Sequence, residues 1–296
     1  MKTGRVTMPN FFAARLVLFA VLLAATAGCN QPDFPKYTAL GDLRILTIVT
    51  SAPEVSPGDA VTFTPVLSDI NGQGRSIHYS VSGCIDPGVG VGAAPACPQP
   101  DPVSIQSGTV ALSPGASLTY TGPVPSFSLT MPDAATIFAS RSSADQYNGV
   151  AYLVFYSISV SNGPSVNSFL RVIVSSSDKA QKNKNPTIAS VDLNDNPITG
   201  TIPMPASAAD FRMTSPASSE ETYQVMQRDG SLTTHSEEMI TTWFVSDGEF
   251  DFSRTLGNSE NSWSPPAAKP AGRGVVLLVV TRDERGGAAF QKVEMN

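Results

Sequence analysis

The chain has 296 residues, of which only 15% are charged, and its formal net charge is −6 at pH 7. This acidic balance excludes nucleic acid and anionic lipid surfaces as expected partners, because both attract basic proteins. Its 23 glycines and 24 prolines separate many short apolar runs, and no stretch shows a sustained helical period. The pattern predicts an all-β protein.

The first 28 residues have the pattern of a secretory signal peptide. Lys2, Arg5 and Arg15 precede an uninterrupted apolar run, 16–25, and no acidic residue accompanies them. A helix that crosses a bilayer needs about 20 apolar residues, so this run is too short to span a membrane. Small residues then lead to Cys29, as at a cleavage site.

The end of this segment resembles the signal of bacterial lipoproteins, in which small residues precede an invariant cysteine. Thr26-Ala27-Gly28-Cys29 fits that pattern, although Thr26 stands where leucine is commoner. The resemblance implies acyl chains on Cys29, each buried methylene contributing about 0.8 kcal/mol to a membrane anchor. Asn30 is not the aspartate that retains such proteins at the inner membrane, which favours the outer membrane of the bacterial cell envelope. The alternative is an ordinary signal peptide followed by a chance cysteine.

The two remaining cysteines, Cys84 and Cys97, predict a disulfide bond. In the oxidising compartment of an exported protein, a lone pair of cysteines forms a disulfide by default. The intervening Gly-, Ala- and Pro-rich loop could not hold its shape by packing. A bond across so short a loop contributes on the order of 3 kcal/mol in the chain-entropy model. His78 and His235 are the only histidines and lie in different regions. We therefore expect no metal centre here and no cofactor.

The mature chain divides into predicted segments by the rhythm of its β-rich runs. Residues 29–42 lack periodicity and are expected to form a tether. Residues 43–176 predict a first immunoglobulin-like sandwich, and the polar stretch 177–186 predicts a linker between two cores. Residues 187–296 predict a second sandwich. In the first, one stripe of alternating residues is expected in the core: Tyr152, Val154, Tyr156, Ile158 and Val160.

The second unit carries motifs in a recognisable order, "TWFVSDGEF" at 242–250, "SWSPP" at 262–266 and "GVVLLVVTRDERGGAAFQKVEM" at 274–295. This order resembles PKD-type and related bacterial immunoglobulin-like repeats. The N-terminal half resembles only a generic immunoglobulin-like domain, through "PGDAVTF" and its strand rhythm. The resemblance implies two such β-sandwiches in tandem after the signal peptide. In the second unit it depends on six residues: Trp243, Asp247, Gly248, Asp283, Gly286 and Gly287.

Side-chain chemistry gives these positions structural roles. Trp243, within a β-rich run, is expected to be the large buried anchor of the second core. Trp263, beside two prolines, is expected in a connecting loop. The "DERGG" sequence, 283–287, is expected to be a hairpin turn in which glycine supplies positive φ and the charged side chains face water.

A run of oxygen-bearing side chains makes a candidate calcium site. "VDLNDNPI" at 191–198 superficially resembles the cadherin calcium-linker sequence, and Asp192, Asn194 and Asp195 carry the hard ligands that calcium favours. The run lies early in its unit, however, and Asn and Asp are also ordinary turn residues. A solvated turn is the alternative.

The sequence contains none of the GxSxG, HExxH, P-loop or dinucleotide-binding motifs. We therefore expect a non-catalytic protein, a display, binding or structural module that recognises an envelope or extracellular protein or glycan. The alternative is an envelope hydrolase that uses paired carboxylates, or a carbohydrate-binding accessory protein. A concave aromatic surface with paired carboxylates would favour this alternative, whereas a free strand edge would favour protein binding.

Overall fold

The computed structural model describes residues 37–72, 75–88, 94–97, 103–111, 119–120 and 126–296. The predicted signal peptide and Cys29 lie outside these residues. Residues 38–296 form one compact unit. In the described part of the chain, no helix has both the length and the apolar character needed to cross a bilayer.

The first half of the unit is built from strands, two short α-helices and a 3-10 turn at Ile70–Gly72. The α-helices are α1 (Ala134–Ile137) and α2 (Ser143–Asn148). The strands are β1 (Arg44–Thr50), β2 (Glu54–Val55), β3 (Ala60–Ser68), β4 (Ser76–Ile85), β5 (Val103–Ala111), β6 (Thr119–Tyr120), β7 (Phe127–Thr130), β8 (Val150–Ser159) and β9 (Ser165–Val174).

These strands form two sheets that face each other, which we call the first sandwich. In sheet 1A, β3 pairs with β1, β6 and β7, whereas sheet 1B has the order β2-β9-β8-β4-β5. The chain thus changes sheets between β1 and β2, and β2 pairs parallel with the end of β9. Two packed sheets with this division of strands are the immunoglobulin-like arrangement.

The core of the first sandwich follows from the alternation of its strands. In β4, Ile77, Tyr79 and Val81 are buried and the residues between them are exposed or half-buried. The predicted β8 stripe, Tyr152 to Val160 at alternate positions, is buried in the same core. Aromatic rings join the two sheets, because Phe127 of sheet 1A lies 6.3 Å from Tyr156 of sheet 1B.

The second half contributes a 3-10 turn at Ala217–Ser219 and eleven strands. The strands are β10 (Ser190–Leu193), β11 (Asn196–Pro197), β12 (Ala209–Thr214), β13 (Thr222–Met226), β14 (Leu232–Ser236), β15 (Ile240–Val245), β16 (Glu249–Phe250), β17 (Arg254–Leu256), β18 (Glu260–Ser264), β19 (Val275–Arg282) and β20 (Ala288–Met295).

The second sandwich has the same type of architecture. Sheet 2A has the order β11-β10-β12-β18-β16, and sheet 2B has the order β17-β15-β19-β20. Strands β13 and β14 form a separate hairpin inserted between β12 and β15. The protein is therefore all-β, with two immunoglobulin-like sandwiches in tandem.

The second core is built around two tryptophans. Trp243 lies on β15, is fully buried and packs its ring 5.1 Å from that of Phe250. The expectation for Trp263 was wrong, because this residue lies on β18 and is also fully buried. Its ring meets Phe211 edge-on, 6.2 Å away. The neighbouring prolines follow the strand rather than exclude it.

Strand β19 is buried on both faces. Leu277 and Val279 join the second core, whereas the alternate residues belong to another apolar cluster. That cluster joins the outer face of sheet 2B to β1 and β3 of the first sandwich. Its buried members are Leu40, Leu46, Val66, Phe244, Val276, Leu278 and Val280. A strand covered on both sides requires a continuous apolar run, which the sequence provides.

Two segments assigned to connections make specific contacts. Residues 38–42 fell in the predicted tether, but the Leu40 N–H donates to Val245 O at 3.1 Å and the Leu40 side chain is fully buried. In the predicted linker, 177–186, Lys179 and Asn183 are buried. The two sandwiches are thus joined by packed side chains as well as by the chain itself.

Two turns of the second sandwich account for the residue types found in them. Asn194 and Asp195 both have positive φ, 49° and 64°, and connect β10 to β11 in the manner of a type I′ turn. Gly248 has a φ of 80°, and an added Cβ would lie 2.5 Å from Ser264 O. Asp247 beside it accepts two hydrogen bonds from Arg273, at 2.5 and 3.0 Å.

Candidate functional site: the cleft between the sandwiches

A cavity of about 570 Å³ opens between the two sandwiches. We call it the inter-sandwich cleft. One wall is formed by β9 and the adjoining parts of β1 and β2. The opposite wall is formed by β13 and by the turn 283–287 between β19 and β20. The site therefore requires both halves of the chain.

Alternation along β9 sets the chemistry of the first wall. Val172 and Val174 point into the first core, so Phe169, Arg171 and Ile173 point outward into the cleft. The Phe169 side chain is 44% exposed, which is unusual for an aromatic residue in the middle of a strand. The Arg171 guanidinium lies 5.5 Å from the centre of this ring, and its Nε donates to Asp86 Oδ2 at 2.7 Å.

The second wall repeats the pairing of an arginine with an aromatic ring. The Arg285 guanidinium lies 4.3 Å from the centre of the Tyr223 ring, a cation–π distance. The Tyr223 hydroxyl donates to Glu284 Oε1 at 2.9 Å. Two causes raise the pKa of Tyr223: partial burial is the larger, and this hydrogen bond to a carboxylate is the next. The phenol is therefore a protonated hydrogen-bond donor at neutral pH.

An asparagine from the first sandwich holds the β13–β14 hairpin in place. Asn148, at the end of α2, donates from Nδ2 to Met226 O at 2.9 Å. Its Oδ1 accepts from the Met226 N–H at 2.8 Å. One side-chain amide thus satisfies both main-chain groups of Met226, as a neighbouring strand would. This contact fixes the width of the cleft at one end.

Beneath the cleft, Arg285 is the centre of a buried charged cluster. Its Nε donates to Glu237 Oε1 at 2.5 Å, and its Nη2 donates to Glu221 Oε2 at 2.8 Å. Its Nη1 is buried without a hydrogen-bond partner among the described residues and lies 3.8 Å from Glu54 Oε2. The expectation that the charges of this turn face water holds for Glu284, which is exposed, but was wrong for Asp283, which is buried, and for Arg285, whose side chain is only 12% exposed.

The same cluster includes residues of the first sandwich and the connecting segment. Glu54 accepts from Lys179 Nζ at 2.6 Å and from the Asn183 N–H at 2.8 Å. Asn183 Nδ2 in turn donates to Asp283 Oδ2 at 3.2 Å. These bonds connect β2, the segment after β9 and the turn after β19, so the cluster fixes the base of the cleft.

Two carboxyl groups in the cluster have raised pKa values. Burial is the main cause for both Glu237 and Asp283, and it outweighs the hydrogen bonds that favour their ionised forms. Asp283 Oδ1 accepts from the N–H groups of Arg285 and Gly287, at 2.9 and 2.7 Å. The Asp283 carboxyl group thus stabilises the conformation of the turn.

The predicted site residues are dispersed over the molecule. The Cys84–Cys97 disulfide is confirmed, with a Cα–Cα distance of 5.9 Å. Asp283, Gly286 and Gly287 form the turn at the cleft. The calcium candidates lie elsewhere, with Asp192 accepting from Thr214 Oγ1 at 2.7 Å and Asp195 paired with Arg212. The described residues hold no cluster of three or more potential metal ligands of the His, Cys, Asp or Glu type.

The cleft residues Phe169, Arg171, Tyr223 and Arg285 were missed by sequence reasoning. Two signals pointed toward the region without identifying it. The continuous apolar run of β19 requires a second covering surface, and the turn 283–287 holds three charged residues beside two glycines.

No family model matches the chain, and no curated protein does. Among solved structures, it is similar to the D0-D1 domain of intimin, with 14% identity over 85% of this chain and 98% of that one, at a TM-score of 0.21. The Yersinia pseudotuberculosis adhesin InvE gives 15% identity over 86% and 60%, at 0.21.

Red sea bream transglutaminase gives 11% identity and a TM-score of 0.24, over 86% of this chain. The chain spans only 31% of that enzyme's length. Scores this low carry no argument about function. The assignment of the fold depends on the strand pairing described above.

Proposed function

We propose that the protein is a non-catalytic binding module of the bacterial envelope, anchored by lipid on Cys29, whose inter-sandwich cleft receives a protein or glycan partner. The proposal includes the outer membrane as its location and a PKD-type second sandwich. The observation that carries the binding role is the cleft itself. It places an exposed aromatic ring, Phe169, in a concavity between two walls that packing and buried hydrogen bonds hold in place.

The chemistry of the walls favours binding over catalysis. Arg285 and Lys179 form ion pairs with Glu54, Glu221 and Glu237 within the cluster, and the turn amides donate hydrogen bonds to Asp283. Carboxylates held in this way support a shape rather than transfer protons.

The second candidate function is hydrolysis or carbohydrate binding, which one observation favours. Buried carboxyls with raised pKa values near a cleft are also typical of catalytic acids.

A photocrosslinking experiment in intact cells tests the binding role. A photoreactive phenylalanine analogue replaces Phe169 in one full-length variant and Phe252 in a matched control. Phe252 is 61% exposed and does not line the cleft. We expect a discrete crosslinked product from position 169 and none from position 252. Equal products from both positions, or none from position 169, would contradict the cleft as the binding site.

A further inference from the structure

Hydrogen-bond parity along β9 shows which main-chain groups face away from its partner strand β8. The Val160 N–H bonds to Pro164 O, and the register continues without a shift from Ser159↔Ser165 to Val150↔Val174. In an antiparallel pair, bonded positions alternate, so even-numbered residues of β9 bond to β8. Odd-numbered residues therefore point their N–H and C=O groups to the other edge.

Among the residues that the structure describes, a strand is paired with one end of that other edge only. The Ile173 N–H donates to Pro53 O at 2.9 Å, and the two residues of β2 pair with Ile173 and Val174. Toward its start, β9 continues for several residues along which no strand of the described part of the chain is paired on this side. The outward N–H and C=O groups of Ser165, Asn167 and Phe169 have no main-chain partner among the described residues. Sheet 1B thus has a strand position that β2 begins and does not fill.

This edge lacks the devices that protect exposed strands. Natural edge strands are blocked by lysine, proline or a bulge. The sequence Ser-Val-Asn-Ser-Phe at 165–169 contains no lysine and no proline, and its pairing with β8 is regular. An edge of this kind presents a template for another strand.

The facing wall offers a second edge. On β13, the residues that bond to β14 alternate with residues whose main-chain groups face outward. Met226 is one of the outward-facing residues, since the Asn148 side chain bonds both its N–H and its C=O group. Gln224, two residues away, presents its main chain to the same side and lines the cleft. Its N–H and C=O groups have no hydrogen-bond partner among the described residues. The edge of β9 therefore reaches the cleft at Phe169, and the edge of β13 borders it at Gln224.

We propose that an extended peptide segment of a partner protein adds a strand to sheet 1B along Ser165–Phe169 and enters the inter-sandwich cleft at Phe169. This inference rests on the proposed function and specifies its ligand. Unpaired N–H and C=O groups recur along β9 at every second residue, about 6.6 Å apart, which is the repeat of a peptide strand and not of a glycan. The β13 hairpin and the turn 283–287 form the opposite wall of the cleft.

The side chains specify part of the ligand. Phe169 exposes its ring toward the cleft, and Val225 and Ile173 add apolar surface. Since alternate residues of an added strand point to the same side, the bound peptide carries apolar residues at every second position.

The test uses octapeptides selected from a random display library on the immobilised full-length protein. Each selected peptide is synthesised, and its binding is measured by fluorescence anisotropy. Two variants form a matched pair. Asn167→Pro and Asn167→Ala both remove the side chain that contacts Ser157, and only the proline removes the outward N–H. Asn167 does not bond to β8 through this N–H, so the proline leaves the ladder intact.

We expect peptides with alternating apolar residues whose affinity falls at least tenfold in Asn167→Pro and changes little in Asn167→Ala. Peptides N-methylated at alternate backbone positions are expected to bind the wild-type protein at least tenfold more weakly than the unmethylated peptides do. Equal binding by both variants, unaffected binding after N-methylation, or the selection of no peptide would overturn strand addition. A Phe169→Ala variant separates the two proposals. If it abolishes binding that Asn167→Pro leaves intact, the cleft binds its partner through side chains, and only the strand-addition mechanism fails.

Discussion

Individual residues show how burial decides the cost of a substitution. Trp243 donates from its indole nitrogen to Thr255 Oγ1 at 2.9 Å, and Trp263 donates to Asp247 O at 3.3 Å. Both side chains fill the second core and satisfy their one polar atom. Each is therefore an anchor on its own strand, in different sheets of the same sandwich.

For this reason Trp243→Ala and Trp263→Ala are expected to destabilise the protein by similar amounts, about 3–5 kcal/mol each. Chemical denaturation followed by circular dichroism measures the change in free energy of unfolding. Phe252→Ala, at a 61% exposed position, serves as the control and should change the stability by less than about 0.5 kcal/mol. A small effect of Trp263→Ala, within about 1 kcal/mol, would show that β18 is not part of the core.

Asp283 is expected to make the stability of the fold depend on pH. Burial raises the pKa of Asp283, so the folded protein holds this proton to higher pH than the unfolded chain does. The stability contributed by the group is complete below the unfolded pKa, about 3.9, and falls as pH rises toward the higher folded value. Asp283→Asn should remove this slope. The new amide oxygen accepts from the turn N–H groups, and Asn183 can reorient its amide to meet the new NH₂.

We expect Asp283→Asn to stay within about 1 kcal/mol of the wild type at pH 7, whereas Asp283→Ala, which leaves two turn N–H groups unpaired, costs about 2–4 kcal/mol. Urea denaturation between pH 4 and pH 7 measures both. A wild-type stability that rises through this range relative to that of Asp283→Asn would contradict the direction of the pKa shift.

The lipid anchor on Cys29 also depends on one residue. The basic start, the short apolar run and Thr26-Ala27-Gly28 predict acylation there. Cys29→Ala should abolish acylation and release the protein from the detergent phase after export, as measured by phase partitioning and intact mass. Cys84→Ala with Cys97→Ala is the control and should keep the anchor. Unchanged mass and partitioning of Cys29→Ala would refute lipidation.

Among the elements, the β13–β14 hairpin depends on a contact with the other sandwich. Asn148→Ala removes both hydrogen bonds to Met226, each worth about 1 kcal/mol. Amides of Leu232–Ser236 should then exchange faster with deuterium, while exchange in β19 stays slow. Gln146→Ala, on the same helix, is the control, because the Gln146 side chain donates its hydrogen bond to Arg141 O rather than to the hairpin. Equal exchange in the two variants would show that Asn148 does not hold the hairpin.

The elements also show how far the sequence alone could lead. Period-two alternation predicted the strands around Val61, Tyr79 and Tyr156 because each has one face in a core. The apolar run 275–280 predicted a strand, and its lack of alternation indicated burial on both faces. Local sequence could not identify the covering surface, since Arg282 Nη2 bonds to Leu46 O, 236 residues earlier. The walls of the cleft are likewise brought together only by tertiary contacts.

At the scale of the whole molecule, the question is whether the two sandwiches unfold separately. The polar stretch 177–186 suggested two independent cores. The shared apolar cluster and the buried pair Arg285–Glu54, with Nη1 3.8 Å from Oε2, favour coupling instead. Uncovering this interface would expose one whole face of β19 to water. Separating the sandwiches therefore costs hydrophobic burial as well as buried ion pairs.

Coupling predicts one cooperative transition for the described unit, and a mild substitution in one core tests it. Ile77→Val, at a 1% exposed position of the first core, should cost about 0.5–1.5 kcal/mol. In a unit of this size each kcal/mol lowers Tm by about 2–4 °C. If the sandwiches are coupled, calorimetry shows a single shifted transition, and the slowest amides of β19 exchange faster although no atom near them has changed. Leu256→Ala, at an exposed position, should leave both unchanged. Two transitions, of which Ile77→Val moves only one, would show that the interface is too weak to join the two cores.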